Sequence, residues 1–498
     1  MNKINSWLKA FVGIASLFIF GIFVSNKLII GARWGGGLFL GGVDNWLSGG
    51  SLYTQPDLGM TAGPVYSPGG LLVSLLARLL FGMNAETVII LIGGLFAIFT
   101  FWGYAKLVAD KRSKVYWYIL ICLALFVLQF PEARFYLFEI HPDIPAIMCF
   151  VWGVLMLGCF INRKVKGYLI PATLFFLCSG LFKQNALFLF AGLGLFVLFT
   201  KKMTGKEKLL VWLSEGLAGI GVICIMLSID GCIYNCVDVM ASHHLIGLYE
   251  YCTYVAFTLF HNFFFLVLLI YFIILLLQKK IIFKSIAEEM WFCSAVVWFL
   301  FCCYGGAKEG SNSGNFEVAL IAFMPFVLKS IEFLYILIKD YLEKKQLYLN
   351  NGPVLKNTII TMICSIAILV SSLFIAKNIS QFQLRLDDQN RFSQWLSINF
   401  EDKNVAYNAK IYEILKSAKI NKTTDLYISA QYLMGSLISD EEMNSISQKE
   451  DWDIIITTAG SDAKEWPETF SRFVKMDSNR YPELSIYGDN IEVFIKKD

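Results

Sequence analysis

The sequence predicts an α-helical protein that crosses a membrane many times and ends in a small α/β domain. Three observations carry this prediction. Charged residues make up 16% of the 498-residue chain and apolar residues 56%, whereas a soluble protein carries roughly 25% charge. Apolar runs long enough to span a bilayer recur through residues 1–376. Residues 377–498 break the pattern, with 15 basic and 20 acidic side chains against 27 basic and 19 acidic before them. Two domains follow, an apolar and basic one over 1–376 and a mildly acidic one over 377–498. No part is strongly basic, so the sequence gives nucleic-acid binding no support.

Eleven spans are expected, at 10–30, 86–108, 115–130, 142–161, 168–182, 185–200, 209–228, 254–278, 288–304, 317–337 and 357–376. Lys3 and Lys9 precede the first, which reads as a retained signal anchor. Residues 68–83 are apolar but short, and contain Gly69, Gly70 and Arg78. They read as a helix lying along the interface, with Arg78 snorkelling to head groups. Residues 168–200 are nearly uncharged and interrupted by Lys183-Gln184-Asn185. As one helix they would be about 50 Å long at 1.5 Å per residue, too long for a core of about 30 Å. Basic clusters at both ends favour two short helices with a recessed tip at Lys183.

Sidedness follows from the cations. With the N-terminus in the cytoplasm, every inner loop is basic: Lys111, Arg112 and Lys114; Arg163, Lys164 and Lys166; Lys201, Lys202, Lys206 and Lys208; Lys279, Lys280 and Lys284; Lys339, Lys344, Lys345 and Lys356. The outer loops hold scattered cations: Arg33, Arg78, Arg134, Lys183 and Lys308. This alternation places residues 377–498 outside and makes Gly31–Ala85 a long first outer loop.

In the C-terminal domain, Val405–Asn408, Leu426–Ser429 and Asp453–Thr458 read as strands. Ile411–Ala418 and Ala463–Val474 have helical periodicity. Leu484–Lys497 reads as a hairpin turning at Gly488-Asp489. There is no phosphate-cradling glycine loop or nucleophile elbow, which favours a recognition or lid role. Of the twelve cysteines, Cys232, Cys236 and Cys252 share one loop; unpaired thiols and a disulfide pair are both open, and no metal-ligand spacing occurs.

Polar residues at membrane depth are costly and mark function. On the outer side they collect in four places. Asp44 lies in the first loop, with Tyr53 and Tyr66, far from any cation in sequence. Asp143 opens the fourth span, beside His141. Lys183, Gln184 and Asn185 form the recessed tip, where a lysine suits a phosphate as a point charge. Lys308, Glu309, Asn312, Asn315 and Glu317 lie between the ninth and tenth spans. A turn or cap role for the two aspartates and a snorkelling role for Lys183 are the plainer alternatives. Together the four places suit a lipid-phosphate-linked substrate reached from the bilayer. Cations would hold phosphate, a carboxylate would deprotonate an acceptor hydroxyl, and amides would read sugar hydroxyls.

The order of these elements resembles the GT-C superfamily of integral-membrane glycosyltransferases, including its protein O-mannosyltransferase and aminoarabinose-transferase branches. The residues that carry it are Asp44, Gly49-Gly50-Ser51-Leu52-Tyr53, Tyr66-Ser67-Pro68, the horizontal helix, His141-Pro142-Asp143, Lys183-Gln184, and the loop with Asn312 and Asn315. The resemblance covers about residues 1–340. It implies an inverting transferase with a polyprenyl-phosphate sugar donor, working on cell-envelope glycans. Asp44 would be the base or acceptor-positioning group and Asp143 would assist. The usual acidic pair is Asp44-Asn45 here, and the usual Pro-Pro is Ser67-Pro68, which leaves a divalent metal and the branch open. No metal ligand is assigned, and the acceptor, whether glycan, lipid or protein, is open. A transporter or flippase and a non-catalytic envelope assembly protein are the other classes. A transporter would have helices broken near the midplane.

Overall fold

The computed structural model describes residues 21, 39–53, 66–130, 142–308, 313–344, 390–407, 412–420, 423–425, 439–449, 451–458, 467–476 and 491–497. The expected spans at 10–30 and 357–376, the strand at Leu426–Ser429 and the turn at Gly488-Asp489 lie outside these residues. The chain is mostly helical, with several apolar helices and a small mixed sheet near its end.

Helix α1 (Gly41–Leu47) and helix α2 (Gly69–Phe81) precede the bundle. The bundle helices are α3 (Ala85–Val108), α4 (Arg112–Gln129), α5 (Asp143–Arg163), α6 (Leu169–Phe182), α7 (Leu187–Phe199), α8 (Gly205–Leu227), α9 (Leu248–His261), α10 (Phe263–Leu277), α11 (Ile286–Gly305), α12 (Ser313–Ile321) and α13 (Met324–Lys344). Four of them, α3, α5, α8 and α11, are each long and apolar enough to cross a membrane. Helix α5 packs on α3 and α6, α6 on α8, and α7 on α11. Glycines permit the closest of these approaches: a Cβ on Gly192 would fall 2.5 Å from Ser294 Cα.

Residues 168–200 do form two short helices, α6 and α7. Lys164, ahead of the first, pairs with Glu207, beyond the second. The two therefore leave and return to the same end of the bundle, and their junction at Lys183–Ala186 lies at the other end. The expected span over 254–278 is not one helix. It breaks at Asn262 into α9 and α10, which meet at 84°. The expected span over 317–337 breaks likewise, with 59° between α12 and α13. Asn262 donates to Thr258 O at 3.0 Å and to Glu317 Oε1 at 3.3 Å, and the Phe265 amide donates to Gln129 Oε1 at 3.4 Å. Such partners compensate the backbone groups that a break releases. Hydropathy is blind to this, because both halves of each pair are apolar.

The C-terminal part carries β1 (Val405–Tyr407), α14 (Tyr412–Ser417), β2 (Thr423–Asp425), α15 (Asp440–Lys449), β3 (Ile454–Thr458), α16 (Pro467–Ser471), β4 (Phe473–Lys475) and β5 (Ile491–Lys496). The strand order is β2-β1-β3-β5-β4, with β1 parallel to β2 and β3, and β5 antiparallel to β3 and β4. One expectation is corrected. The helix expected over Ala463–Val474 stops at Ser471, because Phe473 turns into the core and its strand pairs with β5. Among the described residues the antiparallel partners of β5 are Phe473–Lys475 and β3; the first half of the expected Leu484–Lys497 hairpin lies outside them. Leu40, Ala77, Ala85 and Ile89 share one buried cluster with Phe392, Leu396, Val405, Leu415 and Ala418. The sheet part is thus seated on α2 and the start of α3.

Candidate active site

Helix α1 ends where its carbonyls are met by the amides of the next three residues: Ser48 N to Asp44 O, Gly49 N to Trp46 O and Gly50 N to Asn45 O. Gly49 has φ +91°, a conformation that glycine adopts without strain. Asn45 Nδ2 donates to Ser51 O at 2.7 Å and closes the same turn. Further on, the Tyr53 hydroxyl donates to Tyr66 O at 2.8 Å, joining residues thirteen positions apart. Burial pushes the Tyr53 phenol well above its ordinary pKa, so it stays a neutral donor.

The turn presents Asp44 to cations. Its Oδ2 accepts from Arg78 Nη2 at 2.9 Å and is also contacted by Lys416 Nζ from α14. Two expectations are corrected here. Asp44 is not remote from cations, because folding brings Arg78 and Lys416 to it. Arg78 does not snorkel: its side chain is 8% exposed and turns inward, with Nη1 donating to Gly82 O at 3.0 Å. A guanidinium meets a carboxylate and a carbonyl from one planar fork, which a head-group contact would not fix.

The second group forms where three helix ends meet. Asp143 is the first residue of α5, and Lys183 follows α6 with an extended backbone. Lys183 Nζ lies 2.6 Å from both Asp143 oxygens, with the two side chains 7% and 4% exposed. The ammonium also lies 5.7 Å from the centre of the Tyr66 ring. Gln184 Oε1 accepts from Ser67 N at 3.2 Å and Ser67 Oγ at 3.1 Å, while its Nε2 donates to Cys236 O at 2.7 Å. A Cβ on Gly69 would sit 2.7 Å from Leu181 O, so glycine lets α2 start against this tip. Lys183 is therefore buried at the junction of the two short helices. The ammonium in it is already neutralised by Asp143, a pairing with no signal in the sequence.

The other foreseen residues spread wider. Asn185 is half-buried in the turn after Lys183. Lys308 Nζ donates to Ala241 O at 2.7 Å and lies 5.8 Å from the Tyr304 ring. It shares the 232–242 segment with Gln184, but it is spent on a carbonyl. Glu317 is fully buried within α12 and faces Asn262, where α9 and α10 break. Asn315 is half-buried. His141, Glu309 and Asn312 lie outside the described residues. Cys232 and Cys236 are free thiols with sulfurs 3.9 Å apart, and Cys252 is exposed, so the unpaired reading of that loop is the one seen. Among the described residues no three His, Cys, Asp or Glu side chains converge to hold a metal ion.

Val43, Tyr53, Tyr66, Leu71, Cys232 and Cys236 share a buried cluster bordering both carboxylate groups. Beside it, α1, α2 and the end of α8 enclose a cavity of about 470 Å³. Leu71, Leu72, Leu75 and Trp46 line it, with Ser51, Ser228 and Asp230 among the polar groups. It is an apolar recess with a few polar residues, next to the turn that holds Asp44.

The fold is similar to that of two solved membrane-protein structures, both of them transferases. The chain aligns with ArnT from Cupriavidus metallidurans bound to undecaprenyl phosphate, at TM-score 0.57 and 10% identity over 98% of each chain. It aligns with the same protein in the apo state at TM-score 0.51, 10% identity and 98% of each chain. The archaeal oligosaccharyltransferase AglB from Archaeoglobus fulgidus, in complex with an inhibitory peptide and a dolichol-phosphate, aligns at TM-score 0.52 and 10% identity, over 94% of this chain and 72% of AglB. No protein-family model and no curated protein matches the sequence.

Proposed function

We propose that the protein is an inverting glycosyltransferase of the cell membrane. It moves a sugar from a polyprenyl-phosphate-linked donor to an acceptor at the outer face, for cell-envelope glycans. The observation that carries this reading is the end-to-end likeness of fold to a structure holding undecaprenyl phosphate, joined to a buried carboxylate, Asp143, and a half-buried one, Asp44, each paired with a cation. The acceptor hydroxyl attacks the anomeric carbon, the bond from that carbon to the phosphate oxygen breaks, and the hydroxyl proton passes to Asp44. The leaving phosphate needs no acid, so a single base is the minimum chemistry. Lys183 supplies a cation for the phosphate, and Asp143 holds it in place until the donor arrives. Gln184 fixes Ser67 beside it. The cavity beside α1 takes the apolar part of a substrate.

The test is sugar transfer from a polyprenyl-phosphate donor in nanodiscs. Asp44→Asn keeps size but removes basicity, so turnover should fall by about 10²–10⁴-fold at temperatures where thermal unfolding shows the variant still folded. Near wild-type turnover would remove Asp44 from the chemistry. A second reading, a transporter or flippase, is favoured by the two broken helices joined through Asn262 and Glu317. It predicts lipid-linked substrate crossing proteoliposomes without sugar transfer, at a rate sensitive to Glu317→Gln and indifferent to Asp44→Asn.

A further inference from the structure

We infer that Lys416 is a positioning residue of the active site, contributed by the C-terminal α/β part and holding Asp44 against Arg78. The site is therefore assembled only when that part is seated on the bundle. The inference rests on the proposed role of Asp44.

Three observations converge on it. Arg78 Nη2 and Lys416 Nζ both contact Oδ2 of Asp44, so two elements 338 residues apart fix one oxygen. Lys416 is itself fixed: its neighbours Leu415 and Ala418 are buried with Ala77, Ala85 and Ile89 of the bundle. Arg78 is anchored in turn by its bond to Gly82 O. Exposed ion pairs between mobile side chains contribute little. This one differs, because Asp44 is 14% exposed, Lys416 33%, and both backbones are held by packing.

A carboxylate that takes a proton from a hydroxyl must hold one orientation. Arg78 alone supplies a fork that leaves the carboxylate free to tilt about it; a second cation from a different direction removes that freedom. Two cations on one carboxylate also leave the trio with a net charge of about +1, which favours an anionic donor nearby. The C-terminal part carries more acidic than basic residues. The apolar seat shared with α2 and the start of α3 brings Lys416 to this place.

The experiment uses the full chain in nanodiscs, with Lys416→Met and Lys416→Arg. Misplacing a reacting group by about 1 Å costs on the order of 10²-fold in rate. Lys416→Met should lower kcat by about 10- to 100-fold and leave the donor KM within roughly two-fold, while Lys416→Arg recovers most of the loss. Unchanged kcat in Lys416→Met overturns the inference, and so does an equal loss in both variants. A stability cycle reads the contact without turnover. Thermal midpoints of Asp44→Asn, Lys416→Met and the double variant should be non-additive, the double losing less than the sum of the singles. Additive midpoints overturn the inference even where wild type shows no transfer, the result that refutes the glycosyltransferase reading itself.

Discussion

At the scale of single residues, the Asp143–Lys183 pair decides what mutagenesis will report. Both side chains are almost wholly buried, so removing one leaves a charge without its partner. Breaking a buried pair from one side costs about 3–5 kcal/mol. Lys183→Ala should therefore lower the thermal midpoint as well as donor binding, and the two losses would be confounded. The pair replaced together, Asp143→Asn with Lys183→Met, leaves no uncompensated charge. It should fold nearly as well as wild type and still bind polyprenyl phosphate about 10- to 100-fold more weakly, the value of a charge-assisted contact. Binding is read by titrating the lipid phosphate in nanodiscs, and folding by thermal unfolding. Undiminished binding in the double variant would assign the phosphate to another cation. Of the residues in these two groups, Asp44, Asp143, Lys183 and Gln184 were legible in the sequence, because polar groups are costly at membrane depth. Arg78 was misread as an interfacial cation and Lys416 was unseen. A partner 372 positions away leaves no trace in periodicity or hydropathy.

At the scale of elements, the apolar pattern located most helices correctly but not their shapes. The runs at 86–108, 115–130, 142–161 and 288–304 match α3, α4, α5 and α11, since twenty apolar residues have few other ways to satisfy their backbones in lipid. The breaks at Asn262 and after Ile321 depend on buried polar partners, Glu317 among them, which a window average does not register. Strand β4 was lost to a helix reading because three residues are too few for an alternation to show. The start of α2 is where an element governs the site. Gly69 lies against the Leu181 carbonyl, and Ser67, two residues earlier, is bonded to Gln184. Gly69→Ala puts a methyl carbon into backbone, where overpacking costs about 1–3 kcal/mol. The variant should lose stability of that order and a larger share of turnover than Gly216→Ala, whose Cβ meets open space. Equal effects from the two glycines would remove the junction from the argument.

At the scale of the whole molecule, one helix supports a proposal for the side of the membrane that holds the site. Helix α3 has 24 residues, about 36 Å at 1.5 Å per residue, enough to cross a hydrocarbon core of about 30 Å. Ala85 and Ile89, at its start, are packed against the C-terminal part. Just past its other end Asp110 meets Lys114 and Lys284, and Lys114 meets Glu332. The sheet and this cluster of basic loops thus lie at opposite ends of a spanning helix. Cytoplasmic loops retain Lys and Arg, so we propose that the cluster lies inside, which would put the sheet, Asp44 and Lys183 outside. The expectation is testable in intact cells. In a background with the exposed Cys178, Cys224 and Cys252 replaced, a single cysteine at exposed Glu401 should react with a membrane-impermeant maleimide. One at exposed Lys166 should react only after permeabilisation. The reverse labelling pattern would put the C-terminal part in the cytoplasm. It would carry Asp44 there too, since Lys416 and the apolar seat bind the two together, and the donor would then have to be a lipid-linked sugar of the inner leaflet.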